Sequence, residues 1–286
     1  MLKGLTRAGI GDVGGLDSFV RLAAQHGFDA VDAGGQELID LIAQQQSVTG
    51  AKAWLEDAGQ GRVRIGSIGL SVEWRRDEDT FRAGLAGLAA EAQAASALGC
   101  TACCTYMLPS TDWPAAHFAI IATRRLRTCA QVLGAYGIRL GLEFVGPHHL
   151  RTKWANPFLR TLQETLDWID AIGEPNVGLL FDAYHWYTNE LGVQDIVRLR
   201  SDQIVHVHIN DAPDVPVAEA LDNGRLYPGD GVIDLAGFLR GLNQIGYEGV
   251  VAQEILTQTP PAGTPEELAA RSKQAFHRVF QAAGLE

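Results

Sequence analysis

The sequence predicts an α/β protein built as a single (β/α)8 TIM barrel spanning residues 1–286. Three observations predict it. Eight short apolar runs, each the length of a buried strand, recur along the chain. Helical patterns alternate with them, which argues for a parallel sheet with right-handed crossovers. The length of 286 residues suits eight such units in one closed barrel, and no Pro/Ser-rich linker divides it.

The elements follow in order. A first strand is expected at 2–7 (LKGLTR), and the apolar spacing of DSFVRLAAQHG gives a helix stopped by Gly27. FDAVDA at 28–33 and VRIGSIGL at 63–70 are the second and third strands. DEDTFRAGLAGLAAEAQAASALG opens with acidic residues and closes at Gly99, as a helix should. Strands at 101–108 (TACCTYML) and 139–144 (RLGLEF) flank the helical AAHFAIIATRRLRTCAQVLGAYG. Strands at 177–183, 204–210 and 249–255 complete the set. FLRTLQETLDWIDAIG, LAGFLRGLNQIG and TPEELAARSKQAFHRVFQAAG supply later helices. The segment ALDNGRLYPGDG and Pro260-Pro261 read as long loops.

Composition narrows the function. The chain is 47% hydrophobic and 20% charged, an ordinary globular balance. Its net charge of −11 gives no basic footprint for a nucleic-acid backbone, so a small polar molecule is the expected partner rather than a polyanion. No apolar run approaches a membrane span, and MLKGLTRAGIGDVGG lacks a signal-peptide core, so no membrane partner and a cytoplasmic location are the default expectations. Three of the four cysteines crowd the strand CTACCTYML, where Cys103 and Cys104 face opposite sides. They read as small buried residues rather than a disulfide framework. No P-loop or dinucleotide fingerprint is present.

The chemistry is concentrated where strands end. GLEF carries Glu143, LLFD ends at Asp182, VHVH ends at His208 and VAQE ends at Glu254. These are strands five to eight, and active sites of such barrels lie at the C-terminal strand ends. The separations are 39, 26 and 46 residues, about one strand–helix unit each (143 to 182, 182 to 208, 208 to 254). Consecutive strands are neighbours, so the four side chains can meet. Three carboxylates and one imidazole suit one divalent cation of intermediate hardness, with manganese placed first and cobalt, magnesium, zinc or iron also acceptable. Taken singly, each residue has a plainer reading: a solvated Glu, an Asp helix cap, a core histidine. His206 and His208 alternate along one strand and face the same side.

Other polar and aromatic residues lie near these ends. They include His185 in FDAYHW, Asp211 in HVHIND, Arg225 before YPGDG, and His148, His149, Arg151 and Lys153 after strand five. Trp74, Trp154 and Trp186 are candidate faces for a sugar ring, with loop packing an equal reading for the first two. The Ala-rich helix at 83–98 is a candidate interface between copies, and packing against the barrel explains it as well.

Through LEF, LLFDAYHW, HVHIND, R-x-YPGDGVID and the terminal-strand Glu, the chain resembles the xylose isomerase-like TIM-barrel superfamily. The likeness is to its inosose isomerase and sugar epimerase branch in particular. The resemblance implies that Glu143, Asp182, His208 and Glu254 hold the metal, while His185 and Arg225 bind substrate oxygens. The nuclease branch needs extra early-strand histidines, and none occurs between His26 and His117. The expected activity is isomerisation or epimerisation of a ketose or keto-cyclitol such as an inosose. It proceeds through an enediolate, with Glu143 and Glu254 exchanging proton-removing and proton-returning roles. A lyase expelling water from the same enediolate is the alternative. A non-catalytic sugar-binding barrel is the third reading, since fold alone does not fix chemistry.

Overall fold

The computed structural model describes residues 1–286, and its eight parallel strands close into a barrel in chain order. They are β1 (Leu2–Leu5), β2 (Ala30–Gly34), β3 (Arg64–Gly69), β4 (Ala102–Met107), β5 (Arg139–Phe144), β6 (Val177–Asp182), β7 (Ile204–Ile209) and β8 (Val250–Gln253). β8 pairs with β1 in register Leu2 to Val250, which closes the ring. The expected strands are all found: β5 has its expected bounds, β2 runs one residue further at its end, and the remaining ends match or are trimmed by one or two residues. The trimming has a local cause at β6, where the backbone turns into the helix Ala183–Thr188. Asp182 ends the strand and caps the helix, its Oδ1 accepting from the Tyr184 N–H at 2.6 Å. Residues 35–58, not singled out as helical from the sequence, form the two helices Gly35–Gln44 and Val48–Ala58.

The helix signals act as expected. Asp77 caps Glu78–Ala97 through the Thr80 N–H at 2.9 Å. Thr264 and Glu267 form a capping box on Pro265–Ala283, with Pro at the start of the helix, where its missing N–H costs nothing.

Strand alternation divides the core. Leu5, Val31, Ile65, Cys103, Leu140, Leu142, Phe181, Val207 and Val251 point outward into the large cluster shared with the helices. The inward positions are small: Ala30 and Ala252 touch inside, and a Cβ placed on Gly4 would sit 2.7 Å from Val250. At Gly66 a Cβ would lie 2.7 Å from Asp32 Oδ1, and at Gly141 3.2 Å from Cys104 Sγ. Small inward residues leave the barrel axis room for polar side chains at its C-terminal end. All four cysteines are free. No helix is long and apolar enough to cross a membrane.

Two of the tryptophans expected as ring-stacking surfaces are structural instead. Trp74 is 1% exposed, stacks on Phe118 with centroids 6.0 Å apart, and donates from Nε1 to Thr105 Oγ1 at 3.0 Å. Trp186 packs on Phe238 and donates to the Gly192 carbonyl at 3.2 Å. Their apolar bodies are packed into the core. Trp74→Ala is expected to cost about 3–5 kcal/mol of unfolding free energy. Urea denaturation checks it, and near wild-type stability would show that the indole is not a core element.

Candidate metal centre and catalytic cavity

The four strand-end residues meet on the barrel axis. Parallel register sets Asp182 directly beside His208 and Tyr106 beside Glu143. Glu254 lies one residue past β8, its N–H still bonded to the Ile209 carbonyl at 3.1 Å. One donor atom from each of Glu143, Asp182, His208 and Glu254 lies within 4.8 Å of all the others. From His208 Nδ1 the distances are 3.4 Å to Glu254 Oε2, 3.7 Å to Glu143 Oε1 and 3.9 Å to Asp182 Oδ2. These are too long for good hydrogen bonds. They approach the spacing of atoms arranged around a shared centre at about 2.0–2.2 Å from each. His208 Nδ1 and Glu143 Oε1 are buried without a hydrogen-bond partner. Orphaned buried groups of this kind are costly, and a cation between them would satisfy both. The residues present therefore fit a divalent ion.

Arg225 reaches the same cluster from the long loop after β7. Its backbone N–H bonds the Leu256 carbonyl at 3.0 Å, and reciprocal Asp211–Leu226 backbone bonds hold the next residue. Asp211 folds this loop by accepting from the backbone of Ala212, Gly229, Gly231 and Ile233, so its role lies in the loop rather than in the site. Arg225 Nη1 donates to Asp182 Oδ2 at 2.9 Å and Glu254 Oε2 at 2.8 Å, and Nη2 donates to Asp222 Oδ1 at 2.9 Å. His185, on the first turn after Asp182, accepts the Gly146 N–H at Nδ1. Its Nε2 then faces Glu143 Oε1 at 3.9 Å and lies 3.4 Å from Arg225 Nη2.

The surroundings separate the carboxylates. Burial pushes Glu143 above the usual range, with the adjacent His208 imidazole only partly offsetting it. Burial also opposes ionisation of Glu254 and Asp182. At Glu254 the His208 and Arg225 charges outweigh it, and at Asp182 Arg225 leads, so both are lowered. Burial disfavours charge on His208, but the negative Glu254 foremost raises its proton affinity well above that of free imidazole. The cluster thus demands positive charge, which a proton or a metal ion can supply in competition.

Sequence reasoning missed three supporting residues. Asp32 on β2 sets Oδ2 2.8 Å from His206 Nε2 and 3.5 Å from His208 Nε2, behind the face that His208 turns to the carboxylates. A carboxylate against the far nitrogen fixes the orientation of a ligand-type histidine. Asn210 donates to both oxygens of Asp182, at 3.2 and 3.1 Å. The alternation 206, 208, 210 carried that signal, as did an Asp inside the apolar FDAVDA. Asp222, which holds Arg225, had no signal within its loop. Of the other candidates, Arg151 bonds the Gly146 and Thr188 carbonyls and so braces the loop. Lys153 and Trp154 line the cavity, whereas His148 and His149 do not. This cavity, about 570 Å³, is lined by Glu143, Glu254, His185, Arg225 and Tyr106 among others. That size is typical of small-molecule sites.

The comparisons agree with this architecture. A family model described as xylose isomerase-like TIM barrel matches residues 20–278. The solved structure of a xylose isomerase domain protein from Alicyclobacillus acidocaldarius superposes with a TM-score of 0.89 at 34% identity, covering 99% of each chain. An inosose isomerase of Bacillus velezensis is 30% identical over 154 residues, which is 54% of this chain and 52% of the relative. A 3-dehydroshikimate dehydratase of Pseudomonas aeruginosa is 29% identical over 132 residues, 46% of this chain and 20% of the relative. The chain spans about half the length of the first curated relatives it matches.

Arg225→Met removes the only guanidinium from a buried set of carboxylates. After treatment with a chelator the variant should be about 3–5 kcal/mol less stable than the wild type, because an uncompensated charge is left inside. Added Mn²⁺ should recover part of that loss. Calorimetric unfolding with and without Mn²⁺ reads both, and equal stability of the two chelated proteins would disprove the charge-balancing role.

Proposed function

From the premise that this chain belongs to the xylose isomerase-like TIM-barrel family, we propose that it is a metal-dependent isomerase or epimerase of a ketose or keto-cyclitol. The observation that carries the reading is the convergence of Glu143, Asp182, His208 and Glu254, with two of their donor atoms buried and unpartnered. Those four residues would hold the ion. When bound, a divalent cation supplies Lewis-acid polarisation of a substrate carbonyl, which acidifies the adjacent C–H. Manganese stands first among the candidates, since three carboxylates outnumber the one imidazole and hard oxygen donors suit it.

The proton chemistry belongs to the chain itself. Glu254, engaged by Arg225 Nη1 at 2.8 Å, removes the α-proton. Glu143 returns a proton to the other face or the adjacent carbon. Two carboxylates converging on one site can take complementary proton-removing and proton-returning roles. Arg225 Nη2 and His185 Nε2, both at the cavity wall, steady the negative oxygen of the enediolate. Delivery of the proton to carbon gives the isomer or epimer. The match to a 3-dehydroshikimate dehydratase supports a second reading, in which the same enediolate expels a β-hydroxyl and the product is lighter by water.

Two measurements test the proposal. Elemental analysis of the purified protein should find about one equivalent of a transition metal, with magnesium titrated separately because it dissociates readily. His208→Ala should lose the metal, and retention of it would remove the four-residue site. Glu254→Gln should keep the fold by circular dichroism while slowing exchange of the substrate α-proton with D₂O by about 10²-fold or more. Wild-type exchange in that variant would end the assignment of Glu254 as base.

A further inference from the structure

The cavity above the carboxylates adjoins a second one. This neighbour, about 500 Å³, shares three walls with the first: Tyr106, Leu108 and Trp154. Both shared aromatic rings carry a cation. Arg75 Cζ lies 4.0 Å from the Tyr106 ring centroid, and Lys153 Nζ lies 4.7 Å from that of Trp154. The charges therefore stand at the junction of the two cavities, on either side of it.

Arg75 is fixed there and only partly used. Its face opposite Tyr106 packs on Trp74, 4.5 Å away. Nη2 donates to Thr105 Oγ1 at 3.1 Å and to the Tyr106 carbonyl. Nε is buried without a partner, and neither Arg75 nor Lys153 forms an ion pair with a carboxylate. The nearby acids form no ion pair with them. Asp222, on the wall of the first cavity, is engaged by Arg225 at 2.9 Å, while Glu73 and Asp112 line the second cavity beside Arg75. In a chain of net charge −11, two cations without carboxylate partners stand beside the cavity that holds the carboxylates, where they can attract an anion.

We propose that this junction is an anion subsite. Arg75 and Lys153 receive a carboxylate or phosphate carried at the distal end of the substrate while its carbonyl end lies over Glu143 and Glu254. The substrate class is then an anionic polyol, a ketose or keto-cyclitol bearing an acid or phosphate ester, and the second cavity accommodates the added group. The guanidinium offers planar donors to such oxygens, and the ammonium adds a mobile point charge. The proposal rests on the reading of the first cavity as the reaction chamber.

The test compares sorbitol 6-phosphate, gluconate and sorbitol by titration calorimetry on the purified protein, with metal content measured in the same preparations. Sorbitol 6-phosphate or gluconate should bind at least tenfold more tightly than sorbitol, and whichever binds better identifies the anion. The advantage should shrink as NaCl is raised. Arg75→Gln/Lys153→Gln should erase it while metal content stays at the wild-type level. Lys153→Gln alone, at an exposed position, should lower it severalfold and covers the case in which the double variant does not fold. Equal binding of the three polyols would overturn the proposal, as would an anion preference that survives in both variants. Metal bound without anion preference leaves the proposed function standing and removes the subsite. Anion preference that needs Arg75 and Lys153 in a protein that binds no metal does the reverse.

Discussion

Three carboxylates around one imidazole, two of them buried and one half-buried, cannot be left to repel one another, and the C-terminal half of the barrel is organised by that constraint. Asp182 is fully buried and Glu143 nearly so, and in water each would prefer to be ionised and solvated. Arg225 answers two of the charges with one nitrogen, at 2.9 Å to Asp182 and 2.8 Å to Glu254. The loop that carries Arg225 is accordingly bound at both edges, by Asp211 on one side and the Leu256 carbonyl on the other. The arrangement leaves Glu143 Oε1 and His208 Nδ1 without partners, so one guanidinium does not exhaust the demand for positive charge. The proposed cation completes the same electrostatic balance.

The barrel makes such a cluster affordable by its alternation. Large residues face the helices and bury most of the apolar surface, the main stabilising contribution of the fold. Small residues at Gly4, Ala30, Gly66, Gly141 and Ala252 keep the interior open. Asp32 occupies part of that space. Burial opposes its ionisation, yet the His206 charge and hydrogen bond hold it well below the usual carboxylate range. It therefore remains an acceptor behind His208, so the imidazole is oriented from one side and exposed to the carboxylates on the other. Rigidity at the nitrogen facing the carboxylates follows from packing and charge three strands away around the ring.

The outer rim obeys different physics. Around Arg75, Tyr106, Lys153 and Trp154 the contacts are between cations and aromatic faces, partly open to water. Under the proposed subsite, charge at the rim selects an incoming anion, while the charge on the axis belongs to the strand-end cluster.

The sequence by itself determined the barrel, its strand order and the four strand-end donors. Period-two and helical spacing encode which residues are buried, and a strand end in a parallel barrel has only one place to be. It also marked Arg225 and His185 through their resemblance-bearing motifs. It did not distinguish Trp74 and Trp186 from a binding surface, because an indole suits a core and a sugar face equally and only the neighbouring Phe118 and Phe238 decide. Nor did it connect Asp32 to His208 or Arg75 to Tyr106. Those pairs are separated by 176 and 31 residues, and nothing local in the chain records their meeting. Tertiary structure decided them, because closing the ring brings β2 across from β7 and the loop after β3 over the end of β4. Long-range distance, unlike periodicity, is fixed only when the whole barrel has formed.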